Sequence, residues 1–143
     1  MLVNDYGGAV RGESGESKVS DVVVGEICAL GGIAVANYDS VTDGGAIVKQ
    51  CVEVFGRVDI IVNNAGILRD TSFSKMSQRD WDAVYDTHVK GAFAVTKAAW
   101  PIMKAQKYGR VVFVSSASGL YGNFGQANYS CAKAAVMGLS NTL

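Results

Sequence analysis

Apolar and polar positions follow two rhythms along this chain. Leu2-Val3-Asn4, Ile33-Ala34-Val35-Ala36, Val58-Asp59-Ile60-Ile61-Val62 and Val111 to Val114 are short, mostly β-branched runs that read as strands. Helical spacing fills the intervals. Val19 to Leu30 sets Val23, Ile27 and Leu30 along one face, and Gly31-Gly32 marks its end. Thr42 to Phe55 does the same with Ile47, Val48, Cys51, Val54 and Phe55. Ser77-Gln78-Arg79-Asp80 has the form of a capping box, with Asp in place of the usual Glu. It opens a helical stretch from Gln78 to about Gln106, which Gly109 ends and which Pro101 is expected to bend or locally break. Gln126 to the C-terminus reads as a last helix. Gly7 to Ser17, rich in glycine and charge, reads as a loop.

Strands alternating with helices predict an α/β fold, a parallel sheet with helices on both faces. The near-continuous apolar strands fit a sheet covered on both sides. In such folds ligands gather at the carboxyl ends of the strands. The residues there are Asp5, Asp39, the Asn63-Asn64-Ala65-Gly66 turn and Ser115-Ser116.

Composition narrows the classes. The chain has 143 residues, which sets one domain as the ceiling. Thirteen basic and thirteen acidic residues balance, against the basic excess of a nucleic-acid binder or a polybasic membrane-surface protein. No apolar run approaches the roughly 20 residues that span a bilayer, and no signal-peptide pattern opens the chain. Neither nucleic acid nor membrane is therefore expected as a partner. The single histidine, His88, excludes a multi-histidine metal site, and no metal is expected. Cys28, Cys51 and Cys131 are odd in number and far apart, so they suggest no disulfide framework and read as small buried hydrophobes. Gly8 to Gly15 lacks the Lys-Ser/Thr of a phosphate loop and reads as surface loop. Asn128-Tyr129-Ser130 fits the glycosylation pattern by chance. Trp81, Phe93 and Trp100, on the long helical stretch, read as core.

The constellation with chemistry is Ser116, Tyr129 and Lys133. Tyr129 and Lys133 are four apart on a predicted helix and share a face. A free tyrosine, with a pKa of about 10, is a poor base at neutral pH, and a neighbouring ammonium favours its phenolate. A serine hydroxyl at the strand end can bond the substrate oxygen. Such a trio can take the proton of a secondary alcohol while hydride leaves its carbon.

Asn63-Asn64-Ala65-Gly66, Ser116 and Tyr129-x-x-x-Lys133, in this order and spacing, resemble the short-chain dehydrogenases/reductases. The run Ser115 to Ser130 is similar to the peroxisomal multifunctional-enzyme branch of that family, as are Ala36 to Val41, Asn63 to Asp70 and Lys107 to Arg110. The resemblance implies a Rossmann-like doubly wound sheet and oxidation of (3R)-3-hydroxyacyl-CoA to 3-ketoacyl-CoA with NAD, in β-oxidation. It implies Tyr129 as base, Lys133 as its tuner and ribose ligand, and Ser116 as the group that orients the substrate oxygen. Asp5 stands where the family bonds the adenosine ribose, which favours NAD over NADP. Asp39 stands where it contacts adenine; Asn63, Ala65 and Gly66 line the cofactor cleft. His88 replaces the family's usual Asn, which holds a relay water. Tyr121 and Phe124 are candidates for contact with the acyl chain.

The family's opening strand and T-G-x-x-x-G-x-G loop do not appear, and Leu2-Val3-Asn4 matches its second strand. The later strands are likewise missing, so residues 1–143 are expected to form a single partial domain. The strand order 3-2-1-4-5-6 puts the first strand between the second and fourth. The sheet is expected to be incomplete, its halves without their shared neighbour, and the chain to bind NAD poorly. The complete unit is expected to be a peroxisomal homodimer, although Asn141-Thr142-Leu143 is not a peroxisomal tripeptide. An NADP-linked 3-ketoacyl reductase, and an inactive fragment acting only through association with intact subunits, are the alternatives.

Overall fold

The structure, a computed structural model, describes residues 1–7 and 19–143. The predicted loop from Gly7 to Ser17, with its Gly8 to Gly15 segment, lies almost wholly outside the described residues.

Strand β1 (Leu2–Asn4) is followed by helix α1 (Val19–Ala29) and strand β2 (Val35–Asn37). Helix α2 (Gly44–Phe55) and strand β3 (Ile60–Asn63) come next. Helix α3 (Gln78–Tyr85) leads through a π turn at Asp86–Lys90 into α4 (Gly91–Gln106). Strand β4 (Arg110–Phe113), short helix α5 (Ala117–Tyr121) and helix α6 (Ala127–Thr142) complete the order.

The strands form two parallel ribbons. In one, Leu2 of β1 faces Val35 of β2 and Asn4 faces Asn37. In the other, Ile60 of β3 faces Arg110 of β4 and Asn63 faces Phe113. No ladder joins the ribbons among the described residues. This is the gap expected of a sheet without its central strand.

The core lies between the β3–β4 ribbon and helices α2 and α4, where Val48, Val58, Ile61, Ala99 and Met103 cluster. Asp43 caps α2 by accepting the Ala46 N–H at 3.2 Å. On the β3–β4 ribbon one of the two faces lacks the expected cover. Ile60 and Val62 are 60% and 59% exposed, and Val112 and Val114 of the β4 edge also face outward. The strand period of two sends these side chains away from α4, onto a face that no described helix covers. Full burial of each would add about 1.5–3 kcal/mol.

Several element boundaries differ from the pattern reading. Leu30 lies beyond the end of α1 and is exposed, as is Ile33, because pairing with β1 begins at Val35. The predicted long helix is interrupted at Asp86–Lys90, while α4 runs unbroken through the exposed Pro101. Its terminator is Lys107 in the left-handed region (φ 55°), with Tyr108 N–H reaching Met103 O at 3.2 Å, not Gly109. Phe93 and Trp100 lie on the outer side of α4 and are exposed rather than core. Cys28 and Cys131 are also exposed, on outward helix faces, and Cys51 is half-buried.

Candidate active site

Helix α6 sets Tyr129 and Lys133 one turn apart, and the Lys133 Nζ lies 5.5 Å from the centre of the Tyr129 ring. Lys133 is buried, and its ammonium donates to Val114 O at 2.5 Å. Burial pushes the Lys133 pKa below its ordinary value. A second bond, from Ser115 Oγ to Lys133 O at 3.0 Å, ties the same turn of α6 to the end of β4.

Ser116 is the N-cap of α5. Its Oγ accepts the Ser118 N–H at 3.2 Å. That bond uses a lone pair and leaves the hydroxyl proton to be donated to a substrate oxygen. Helix α5 lies hard against α6: a Cβ on Gly119 would stand 2.9 Å from the Lys133 carbonyl carbon and Ala134 nitrogen. The absence of a side chain at Gly119 thus lets the Ser116 helix approach the helix that carries Tyr129 and Lys133. Helix α5 was not legible in the apolar pattern; Ser116 as a cap residue was its one signal.

His88 sits in the π turn, buried, with its ring edge-on to Tyr129 at 5.2 Å between centroids. Its Nε2 lies 2.9 Å from Ile67 O and 3.1 Å from Ile67 N. One nitrogen makes one of these at a time: protonated, Nε2 donates to Ile67 O; unprotonated, it accepts the Ile67 N–H. Either bond pins the turn after β3 to the helix. Gly66 makes the approach possible, because a Cβ there would stand 2.4 Å from His88 Cε1.

Burial lowers the His88 pKa, the bond to Ile67 opposes this, and the Lys133 charge lowers it further. The folded state therefore holds His88 neutral at pH values where the unfolded chain takes up a proton. The corresponding stability is complete above about pH 6.5 and is lost as pH falls through the lower folded value. Thermal melts are expected to show a decline below that pH, with a slope of no more than about 1.4 kcal/mol per pH unit from this one group. His88→Asn is expected to flatten it. An equal decline in the variant would refute the assignment.

The cofactor-side candidates lie at strand ends, as expected. Asp5, half-buried after β1, accepts the Gly7 N–H at 2.7 Å through Oδ1. Its other oxygen makes no hydrogen bond among the described residues. Asp39 is exposed, and its Oδ2 accepts from Asn37 Nδ2 at 2.7 Å. Buried Asn37 also bonds Gln50 Oε1 at 2.6 Å, so the adenine-side candidate is braced by α2. Asn63 at the end of β3 donates to Thr96 Oγ1 at 3.1 Å. Ala65 and Gly66 follow in an exposed turn. A glycine-rich pyrophosphate loop is not among the described residues.

A concavity of about 210 Å³ lies beside β4, lined by Phe113, Ser115, Val136, Met137, Ser140 and Asn141. Neither Tyr129 nor Ser116 lines it. Among the described residues no group of three metal-ligating side chains occurs, and no helix is long and apolar enough to cross a membrane.

The parallel βα units place Ser116 just after β4 and Tyr129 beside Lys133 on α6. A family profile described as short chain dehydrogenase matches residues 27–143, and the chain belongs to that family. Within it, the chain is 57% identical over its whole length to the mouse (Mus musculus) peroxisomal multifunctional enzyme type 2, covering 20% of that protein. A crystal structure of a short chain dehydrogenase from Mycobacterium avium matches 96% of this chain and 51% of its own, with TM-score 0.84 and 40% identity. Full-length peroxisomal multifunctional enzyme type 2 from Drosophila melanogaster matches 99% of this chain and 26% of its own, with TM-score 0.80 and 43% identity. The chain thus spans a fifth of the mouse relative and about half of the mycobacterial one.

Proposed function

We propose that this chain carries the catalytic residues of an NAD-dependent oxidation of (3R)-3-hydroxyacyl-CoA to 3-ketoacyl-CoA, within a peroxisomal β-oxidation enzyme. The observation that carries the reading is the Tyr129–Lys133 pair, with Nζ 5.5 Å from the ring centre; the Ser116 hydroxyl after β4 keeps its proton to donate. Likeness to relatives named peroxisomal multifunctional enzymes supports the location and the branch.

The chain's own residues divide the work. Ser116 donates a hydrogen bond to the oxygen on the substrate's C3 and orients it. Tyr129 takes the hydroxyl proton as general base. The Lys133 ammonium, beside the Tyr129 ring, supplies N–H donors for a ribose hydroxyl. His88 holds Tyr129 and the Asn63–Gly66 turn in register. Asp5 bonds the adenosine ribose, Asp39 faces adenine, and Asn63, Ala65 and Gly66 line the nicotinamide side. When bound, NAD supplies the acceptor for the hydride leaving C3. The exposed outer side of α4, with Phe93 and Trp100, joins a second copy to form a homodimer.

The test is absorbance at 340 nm with (3R)-3-hydroxyacyl-CoA and either NAD or NADP. NAD is expected to be preferred, because Asp5 repels a 2′-phosphate. Asp5→Ser is expected to shrink that preference by about tenfold to a hundredfold, as losing a charged hydrogen bond of about 1.5–3 kcal/mol implies. An NADP preference in the unaltered chain would favour instead a 3-ketoacyl reductase of the same family.

The uncovered β3–β4 face, with Ile60 60% and Val62 59% exposed, favours a second reading. In it the chain is inactive and acts by associating with intact subunits. Mixed species in size-exclusion chromatography with an intact dehydrogenase, together with no turnover, would select it.

A further inference from the structure

We propose that Asn128 is a positioning residue for Tyr129, clamping the first turn of α6 to two distant segments; the proposal rests on the reading of Tyr129 as the base. Asn128 is 2% exposed. Its Nδ2 donates to Arg69 O at 3.2 Å and to Asp80 O at 3.3 Å. Its Oδ1 accepts the Tyr129 N–H at 2.8 Å. One carboxamide thereby joins the loop after β3, the first turn of α3 and the backbone of the tyrosine.

The geometry differs from ordinary helix capping. Tyr129 is the third residue of α6, a position whose N–H the N-cap side chain usually takes. The N-cap here, Gln126, makes no cap bond; its side chain reaches Asp70 Oδ2 at 2.8 Å and Ser118 Oγ at 3.0 Å. Asn128 supplies the missing acceptor and spends both its donors outside the helix. A further bond crosses the same junction, from Thr71 N–H to Gly125 O at 2.9 Å. An ångström of slack at a reacting group costs about a hundredfold in rate. The same burial makes the Asn128-Tyr129-Ser130 pattern useless as a glycan acceptor.

The experiment uses the whole chain with Asn128→Ala and Asn128→Asp. Asp keeps the acceptor for Tyr129 N–H and loses both donors, so it tests the clamp apart from the cap. Both variants are expected to lower kcat by about tenfold to a hundredfold, with KM for NAD and acyl-CoA within about threefold. Amide hydrogen exchange at Thr71, across the junction, is expected to quicken by about tenfold or more in both. Unchanged kcat in the folded variants, or faster exchange confined to Tyr129, would overturn the clamp. If Asn128→Ala does not fold, the near-isosteric Asn128→Asp carries the same test. If the unaltered chain transfers no hydride, the functional reading fails by itself, and exchange at Thr71 alone decides whether the clamp exists.

Discussion

Tyr129→Phe is expected to lower kcat by about a hundredfold to ten-thousandfold, the usual contribution of a positioned general base. NADH binding, followed by cofactor fluorescence, is expected to change little. The phenyl ring keeps the edge-on packing against His88 at 5.2 Å and removes only the hydroxyl. The variant therefore separates chemistry from architecture. A kcat within about tenfold of the unaltered chain would assign the base to another group and would sink the mechanism. Lost NADH binding would instead show that the ring supports the cofactor side of the cleft. Lys133→Met should reproduce much of the kcat loss and also weaken binding, since Lys133 is assigned both jobs.

The largest expected effect on stability is at Gly44. A Cβ there would stand 2.3 Å from both the Ala94 carbonyl carbon and the Val95 nitrogen, backbone atoms that cannot rotate aside. Helices α2 and α4 must separate to admit even a methyl group, and the core between them, with Val48, Ala99 and Met103, opens with them. Overpacking of this kind costs about 1–3 kcal/mol, out of a total stability of about 5–15 kcal/mol for a typical domain. Gly44→Ala is expected to lower Tm by several degrees, at about 2–8 °C per kcal/mol. Its neighbour is the control. A Cβ on Gly45 would meet only Asp43 Oδ1, at 3.7 Å, so Gly45→Ala is expected to be neutral or slightly stabilising. Equal melting temperatures for the two variants would show that the α2–α4 approach yields without cost.

The pair of glycines illustrates what a sequence conceals. Gly44 and Gly45 are indistinguishable in the apolar pattern, and only the crossing of α4 over α2 makes one of them indispensable. Asn128 is similar. In the chain it is one more polar residue beside Tyr129, within a chance glycosylation pattern. Its partners, Arg69 and Asp80, are 59 and 48 residues away. The break in the long helix also escaped the pattern. Pro101 is the obvious breaker, yet the irregular turn falls at Asp86–Lys90, where His88 packs between Ile67 and Tyr129.

What the amino-acid order determined by itself is local or periodic. The four strands, the helical intervals, the Ser77 cap and the shared face of Tyr129 and Lys133 all follow from spacing of two or of three to four residues. The candidate residues at the strand ends were legible for the same reason, since the end of a strand can be read from the chain. The tertiary structure alone decided which faces are covered. Ile60 and Val62 have the composition of a doubly covered strand and stand on a bare face, because cover depends on what lies across the sheet. It also decided which polar groups meet. His88 meets Ile67, Asn128 meets Arg69 and Lys133 meets Val114 through bonds that span 21, 59 and 19 residues, and no period in the sequence encodes distances of that kind.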